Sequence, residues 1–101
     1  MIKQVIVLNM EVPFPLGRFS AMAAHASVGA VLEADHTDKE MFTKIITKTW
    51  GEDALHKLQK KAAHLGLPSK LVEDDGYVAA LAIGPDHSEK IDKVTGHLVL
   101  I

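Results

Sequence analysis

The sequence predicts an α/β protein: a single three-layer domain with a four-stranded mixed sheet flanked by helices, in the order β-α-β-α-β-β-α. Short branched apolar runs alternate with longer helical stretches, which is typical of parallel strands joined by right-handed crossovers. Residues 77–83 form an uncharged apolar run, typical of a strand that is covered on both faces. The dipeptide Asp75-Gly76 before this run predicts a tight turn, and therefore an antiparallel hairpin.

Composition narrows the class of protein. The chain has 101 residues, a net charge of −2 and 48% hydrophobic residues, so we expect one domain over residues 1–101. The absence of Cys excludes a disulfide framework, a thiolate nucleophile and a Cys-bound zinc, and it fits a reducing compartment. We find no bilayer-spanning segment and expect no signal peptide, which predicts a cytoplasmic protein. Because the charge is near neutral, nucleic-acid binding has to depend on a local patch.

The first half of the chain predicts two strands around one long helix. Residues 2–8 are typical of a central strand, and the loop 9–16 contains two prolines that stiffen it. The helix over residues 17–34 is apolar on nearly every side. We therefore expect it to be buried between the sheet and either another element or a second subunit. Residues 35–40 form a polar connection, and residues 42–48 form the second strand.

The second helix has clear start and stop signals. Thr49 and Glu52 have the spacing of a capping box, in which each side chain binds the backbone N–H of the other residue. The helix then runs to about residue 65. Gly66 is placed for a left-handed C-cap, and the proline two residues later prevents continuation of the helix.

The rest of the chain predicts a hairpin, a short helix and a tail. Residues 69–72 and 77–83 form the third and fourth strands, and residues 86–94 form the last helix. The apolar tail over residues 98–101 is expected to dock on the core. These assignments give four strands in total.

Several polar residues could carry chemistry. Asp74 and Asp75 could polarise a water molecule, or could simply serve the turn. Arg18, in the first helical turn, could bind a phosphate together with unpaired backbone N–H groups, or could be a surface cation. His25 could carry a proton, or could be a locally bonded or interface histidine. The histidines lack the close spacing of helical metal ligands, so we predict neither a metal nor a cofactor.

Segments along nearly the whole chain together resemble the archaeal and eukaryotic type of peptidyl-tRNA hydrolase. The tail and the Ala-Ile-Gly-Pro segment are the most specific. The matching segments are the strand from Lys3 with Glu11 after it, the helix start Gly17-Arg18-x-x-Ala21-x-x-Ala24-His25-Ala26, the stretches Leu65-Gly66-Leu67-Pro68, Leu71-Val72-Glu73-Asp74-x-Gly76 and Leu81-Ala82-Ile83-Gly84-Pro85, and the tail Ile91-Asp92-Lys93-Val94-Thr95-Gly96-His97-Leu98.

The resemblance implies a mixed four-stranded sheet, frequent homodimers, and hydrolysis of the ester between a peptide or N-blocked amino acid and the tRNA 3′ end. Water attacks the ester carbonyl, an aspartate at the position of Asp74 orients that water, and the cation and histidine support the tRNA end and the oxyanion. The residues implied are Asp74, His25 and Arg18 as catalytic and Glu11, Gly17 and Asp75 as substrate-binding.

The chain also departs from the family pattern. Leu16 and Arg18 stand where the family has lysines, and Met22 stands where it has a glutamine. A threonine-bearing extension is missing, because Gly76 is followed directly by Tyr77. Two hypotheses therefore stand. One is a short, divergent peptidyl-tRNA hydrolase, an ester hydrolase. The other is a relative that kept the fold and lost the activity, and that acts as a dimeric binding protein.

Overall fold

The computed structural model describes residues 1–34 and 43–101, and it confirms the α/β class. The predicted connection over residues 35–40 and the predicted strand start at Phe42 lie outside the described residues. The elements are the strands β1 (Ile2–Asn9), β2 (Thr43–Thr49), β3 (Ser69–Asp74), β4 (Tyr77–His87) and β5 (Val99–Leu100), and the helices α1 (Leu16–Glu33), α2 (Glu52–His64) and α3 (Ser88–Thr95).

The sheet has five strands in the order β3-β4-β1-β2-β5. Strand β1 is central, parallel to β2 and antiparallel to β4, and β3 is antiparallel to β4. Strands β1, β2 and β3 therefore point in the same direction, and their carboxyl ends share one edge of the sheet. The predicted hairpin between β3 and β4 is confirmed.

The prediction of four strands in the order β-α-β-α-β-β-α was wrong, because a fifth strand follows the last helix. Val99 and Leu100 pair antiparallel with Lys48 and Thr47, and their own side chains are exposed. Without them, the outer edge of β2 would present unpaired backbone groups. Leu98 packs against the core, as predicted for the tail, whereas backbone pairing at the sheet edge, and not side-chain burial, holds Val99 and Leu100.

Several element ends differ from the prediction; β3 ends at Asp74 and not at residue 72, and α3 begins at Ser88 and not at residue 86. Strand β4 continues beyond residue 83 to His87, and an irregularity in its pairing with β1 lies between Lys3 and Val5. The predicted capping box of α2 is absent: Gly51 is the N-cap, and no side chain caps the helix. Thr49 is instead the last residue of β2, where its carbonyl accepts a hydrogen bond from the N–H of Met10.

The predicted stop of α2 is confirmed. Gly66 has a φ of +71°, which is the left-handed conformation. The N–H of Leu67 donates to the carbonyl of Ala62, and the N–H of Gly66 donates to the carbonyl of Ala63. These two bonds satisfy carbonyls at the end of the helix in the pattern of a Schellman motif.

The sheet has a core on each face. On one face, α1 packs small residues against small residues of β4, so that helix and sheet approach closely; these are Ala23, Ala26, Ala30, Ala80 and Ala82. On the other face, α2 and α3 bury larger side chains, such as Leu55 and Ile91, against Leu81 and Ile83. No helix within the described ranges is long and apolar enough to cross a membrane.

Helix α1 is buried along one face only within the described part of the single chain. Its opposite side exposes Val28 (61%) and Leu32 (79%). The expected burial on a second side is therefore not seen in one chain, and burial by a second subunit stays a prediction.

A buried glutamine joins α1 to the sheet. Gln4 Nε2 donates to the carbonyls of Ser27 and Gly84, and Gln4 Oε1 accepts from the Ser27 hydroxyl at 2.6 Å. We expect Gln4→Leu to lower the free energy of unfolding by about 2–4 kcal/mol, because it removes three hydrogen bonds and leaves buried polar groups unpaired. Urea unfolding measures this loss. Ser27→Ala, which removes a single hydroxyl, should cost less than half as much, and equal losses would contradict the prediction.

Candidate active site

Polar side chains gather where the three parallel strands end. Asn9 ends β1, Thr49 ends β2 and Asp74 ends β3, all at the same edge of the sheet. The loop over residues 10–15 and the first turn of α1 follow directly from β1. In open α/β sheets this carboxyl edge is the common location of binding sites, because loops leave a rigid scaffold there.

A two-residue turn fixes the acidic end of β3. Asp74 pairs directly with Tyr77, and the two residues between them, Asp75 and Gly76, have φ values of 54° and 80°. Two successive positive φ values are typical of a type I′ turn, whose twist matches that of a hairpin. Asp74 is therefore part of a paired strand next to the turn, and its carboxylate has a rigid support.

Arg18 reaches from the first turn of α1 to this carboxylate. Its Nε donates to Asp74 Oδ2 at 3.0 Å, and its Nη2 lies 2.9 Å from the same oxygen. Asp75 Oδ2 lies 3.7 Å from Nη2. The two carboxylates offset a cation that would otherwise be unfavourable at a helix N-terminus. Arg18 is therefore a partly exposed cation that is paired with two carboxylates.

An aromatic cluster holds the guanidinium from the other side. The Arg18 Cζ lies 3.9 Å from the centroid of the Phe14 ring, which is the geometry of a cation–π contact. Tyr77 packs edge-on against the same ring, with the two centroids 5.8 Å apart. Arg18 is thus restrained by a ring and by carboxylates, which reduces the conformational freedom of its long side chain.

The arrangement leaves groups free for a ligand. Both close contacts from Arg18 go to Oδ2 of Asp74, and within the described residues Oδ1 has no hydrogen-bond partner. The two side chains are each a little over one-third exposed, so water and a ligand can reach them. A carboxylate oxygen can orient a water molecule, and a guanidinium has five N–H donors for an anion.

The remaining predicted residues lie at different distances from this pair. Gly17 precedes Arg18 in the first turn of α1, and the N-cap residue Pro15 provides no side-chain cap. The carboxylate of Glu11 lies beside Gly51 at the end of β2, with an oxygen 3.7 Å from the position of a Cβ on that glycine. The structure therefore brings together Arg18, Asp74 and Asp75, with Gly17 next to Arg18 in the chain, while Glu11 lies near the end of β2, three strand positions from β3.

His25 is not in contact with the arginine–aspartate pair. It lies seven residues after Arg18 on α1, about 10 Å along the helix axis at ~1.5 Å per residue. Its side chain is exposed and has no hydrogen-bond partner among the described residues. The spacing of seven does place the two residues on the same side of the helix.

Sequence reasoning missed a residue that joins three strands at this edge. Asn9 is buried; its Nδ2 donates to the carbonyl of Val78, and its Oδ1 accepts from the N–H groups of Glu11 and Gly51. A polar residue directly after the apolar run of β1 was the available signal. Phe14 and Tyr77 were also missed, because their contact with Arg18 depends on the tertiary fold.

We find no metal site in the part of the chain that the structure describes. Within residues 1–34 and 43–101, no group of three or more His, Asp or Glu side chains is arranged to hold an ion.

The fold and the site define a class: an α/β protein with a carboxylate–guanidinium pair at the carboxyl edge of a mixed sheet. The family model described as "Peptidyl-tRNA hydrolase PTH2" matches residues 2–101, and the chain belongs to this family. The resemblance found in the sequence is thereby confirmed.

Similar proteins from archaea carry the same family name. A protein named peptidyl-tRNA hydrolase from Methanopyrus kandleri is 37% identical over 115 aligned positions, covering 100% of this chain and 99% of the relative. A protein of that name from Thermococcus onnurineus is 32% identical over 114 positions, covering 98% of this chain and 97% of the relative. Another from Methanocaldococcus jannaschii is 33% identical over 114 positions, covering 98% of this chain and 99% of the relative. Because this chain has 101 residues, these alignments leave gaps in it.

Proposed function

We propose that the protein hydrolyses the ester that joins a peptide or N-blocked amino acid to the 3′ end of tRNA, and that it does so in the cytoplasm. The observation that supports this function is the Arg18–Asp74 pair, which leaves Asp74 Oδ1 available at an exposed edge. Membership of the peptidyl-tRNA hydrolase family provides the substrate class.

In the proposed reaction, Asp74 acts on water. Oδ1 accepts a hydrogen bond from a water molecule and orients its oxygen toward the ester carbonyl carbon. As the new C–O bond forms, Asp74 accepts the proton of the water. The ester C–O bond then breaks, and the proton passes to the leaving ribose oxygen, so that the products are the free peptide and tRNA.

The cation and the helix start stabilise negative charge in this scheme. Arg18 has N–H donors beyond those that bind Asp74, and the first N–H groups of α1 around Gly17 have no side-chain cap. Both can face the oxyanion or a terminal phosphate of tRNA. Asp75 and Glu11 are proposed to contact the ribose hydroxyls or the peptide. His25, two turns along α1, is proposed to support the tRNA end and not the reacting ester.

The alternative is a family member without hydrolase activity. It is favoured by the two-residue turn between Asp74 and Tyr77, which holds no threonine-bearing extension. It is also favoured by the length of the chain, 101 residues against 115 aligned positions. Polar groups that act as one unit lose most of their effect when some of them are removed.

A hydrolysis assay separates the two. We expect the purified protein to release labelled amino acid from N-acetyl-aminoacyl-tRNA well above the rate without protein, with unblocked aminoacyl-tRNA as a poorer substrate. A protein that shows no turnover, yet binds the same tRNA with an affinity that falls with salt, would instead be a binding protein.

A homodimer is part of this proposal, and the exposed side of α1 supports it. Val28 and Leu32 are one turn apart on that side, so their exposed apolar side chains are neighbours, and contiguous exposed apolar surface is a common location of an interface. We expect light scattering to give twice the chain mass. The double variant Val28→Glu/Leu32→Glu should be monomeric and folded, because two charges cannot be buried unpaired. A wild-type protein that is monomeric at high concentration would remove the dimer.

A further inference from the structure

An exposed tryptophan and a lysine lie next to each other at the end of β2. Trp50 is 55% exposed, and the Lys48 Nζ lies 5.9 Å from the centroid of its ring. Lys48 is paired in register with Leu8, and neighbouring residues in register have their side chains on the same face. Leu8 belongs to the core beneath α1, so Lys48 lies on the sheet face that carries α1 and Arg18.

This pair shares an edge with the candidate active site. In the strand order β3-β4-β1-β2, the ends of β3 and β2 are separated by three strand spacings, about 14 Å at ~4.8 Å each. Stacked nucleotides rise by ~3.4 Å per residue, so about four of them cover that distance. The 3′ end of tRNA, at which the ester is located, is single-stranded.

We propose that Trp50 and Lys48 bind the single-stranded 3′ end of the RNA: a base stacks on the indole ring, and the lysine contacts the adjoining phosphate. Aromatic platforms beside cations are the usual means of holding single-stranded nucleic acid, because every base has a face that can stack. The carboxylate of Glu11 lies beside Gly51, the residue after Trp50, and a phosphate should bind near Lys48 and not near this negative charge. This inference rests on the proposed function for the choice of tRNA.

The probe is a labelled RNA hairpin with a four-nucleotide single-stranded 3′ end, and the reference is the same hairpin with a blunt end. We expect the wild-type protein to bind the overhang hairpin more tightly by fluorescence anisotropy. Trp50→Leu should weaken that binding about tenfold and leave blunt-hairpin binding unchanged, whereas Trp50→Phe should retain most of it, since an aromatic ring remains. Lys48→Gln should weaken binding and reduce its salt dependence by about one counterion.

The matched control removes a positive charge from the face of the sheet that carries α2. Lys57 and Lys61 line a groove of about 310 Å³ with His97 beneath α2, and the groove lining has no carboxylate. Lys57→Gln should affect the overhang and blunt hairpins equally. The inference is overturned if Trp50→Leu binds both hairpins like the wild type, if Lys57→Gln matches the overhang-specific loss of Lys48→Gln, or if Trp50→Leu alters the oligomeric state in place of RNA affinity.

The outcomes for binding and for hydrolysis are separable. If the wild-type protein hydrolyses N-acetyl-aminoacyl-tRNA and the Trp50→Leu variant has the same KM, this inference is overturned and the proposed function stays intact. If the wild-type protein does not hydrolyse the ester, but the Trp50→Leu substitution abolishes its binding to the overhang hairpin, the proposed function alone is overturned.

Discussion

Asp74→Asn is expected to reduce kcat on N-acetyl-aminoacyl-tRNA by at least about 100-fold, with little change in stability. Asparagine has nearly the same shape, and its amide oxygen can still accept hydrogen bonds from Arg18. It cannot take a proton from water, and a positioned proton acceptor contributes typically about 10²- to 10⁴-fold to a rate. Single-turnover release of labelled amino acid measures the effect directly.

The neighbouring carboxylate provides a matched control. Asp75 lies on the same turn and near the same guanidinium, but its closest contact with Arg18 is 3.7 Å and its side chain is largely exposed. Asp75→Asn should therefore change kcat by less than about threefold. If both variants reduce the rate equally, the net negative charge of the turn matters, and the specific role of Asp74 is wrong.

Besides the α/β class, local backbone chemistry could be predicted from the sequence at two chain reversals. Asp75-Gly76 predicted the hairpin and Gly66 predicted the end of α2, because in each case a short motif fixes a positive φ. Thr49 and Glu52 failed for the opposite reason. Their spacing was correct for a cap, but pairing with β1 continued through Thr49 and moved the helix start beyond it.

The strand β5 could not be predicted because its side chains do not determine its place. Val99 and Leu100 are exposed, and it is their backbone pairing with β2 that positions them. An apolar tail with no alternating pattern is compatible with docking on a core as well as with an edge strand. The folded sheet leaves the outer edge of β2 open, and pairing with this edge makes Val99 and Leu100 a strand.

The site could be predicted in part. Arg18 and Asp74 were selected separately and are in contact, because the start of α1 and the end of β3 meet at one edge. His25 was grouped with them because the family resemblance implied it, and it lies on the same side of the helix as Arg18, seven residues further along. That spacing also separates them by about 10 Å, so the shared side of the helix does not imply a shared pocket. Phe14 contacts Arg18 through the tertiary fold, which no local pattern contains.

Gly84→Ala is expected to lower the free energy of unfolding by about 3 kcal/mol or more. Gly84 has a φ of +105°, and a Cβ there would lie 2.6 Å from the carbonyl oxygen of Lys3 and 3.1 Å from the Cα of Gln4. Both neighbours belong to the backbone of the central strand, so they cannot move aside as a flexible side chain can. The variant also disturbs the carbonyl that accepts from the Gln4 side chain. Thermal unfolding should show a fall in Tm of more than about 10 °C, given ~4–8 °C per kcal/mol for a domain of this size.

A glycine-to-alanine substitution at Gly17 tests whether the loss of stability depends on the position of Gly84 and not on replacing a glycine as such. Gly17 lies in α1, and no atom stands within 4 Å of the position of its Cβ. Gly17→Ala should therefore raise the free energy of unfolding by up to about 1 kcal/mol, because alanine loses less backbone entropy in a helix. Changes of opposite sign in the free energy of unfolding would show that the loss at Gly84 comes from its positive φ and from the close approach of β4 to β1. A Gly84→Ala protein with the Tm of the wild type would contradict that packing.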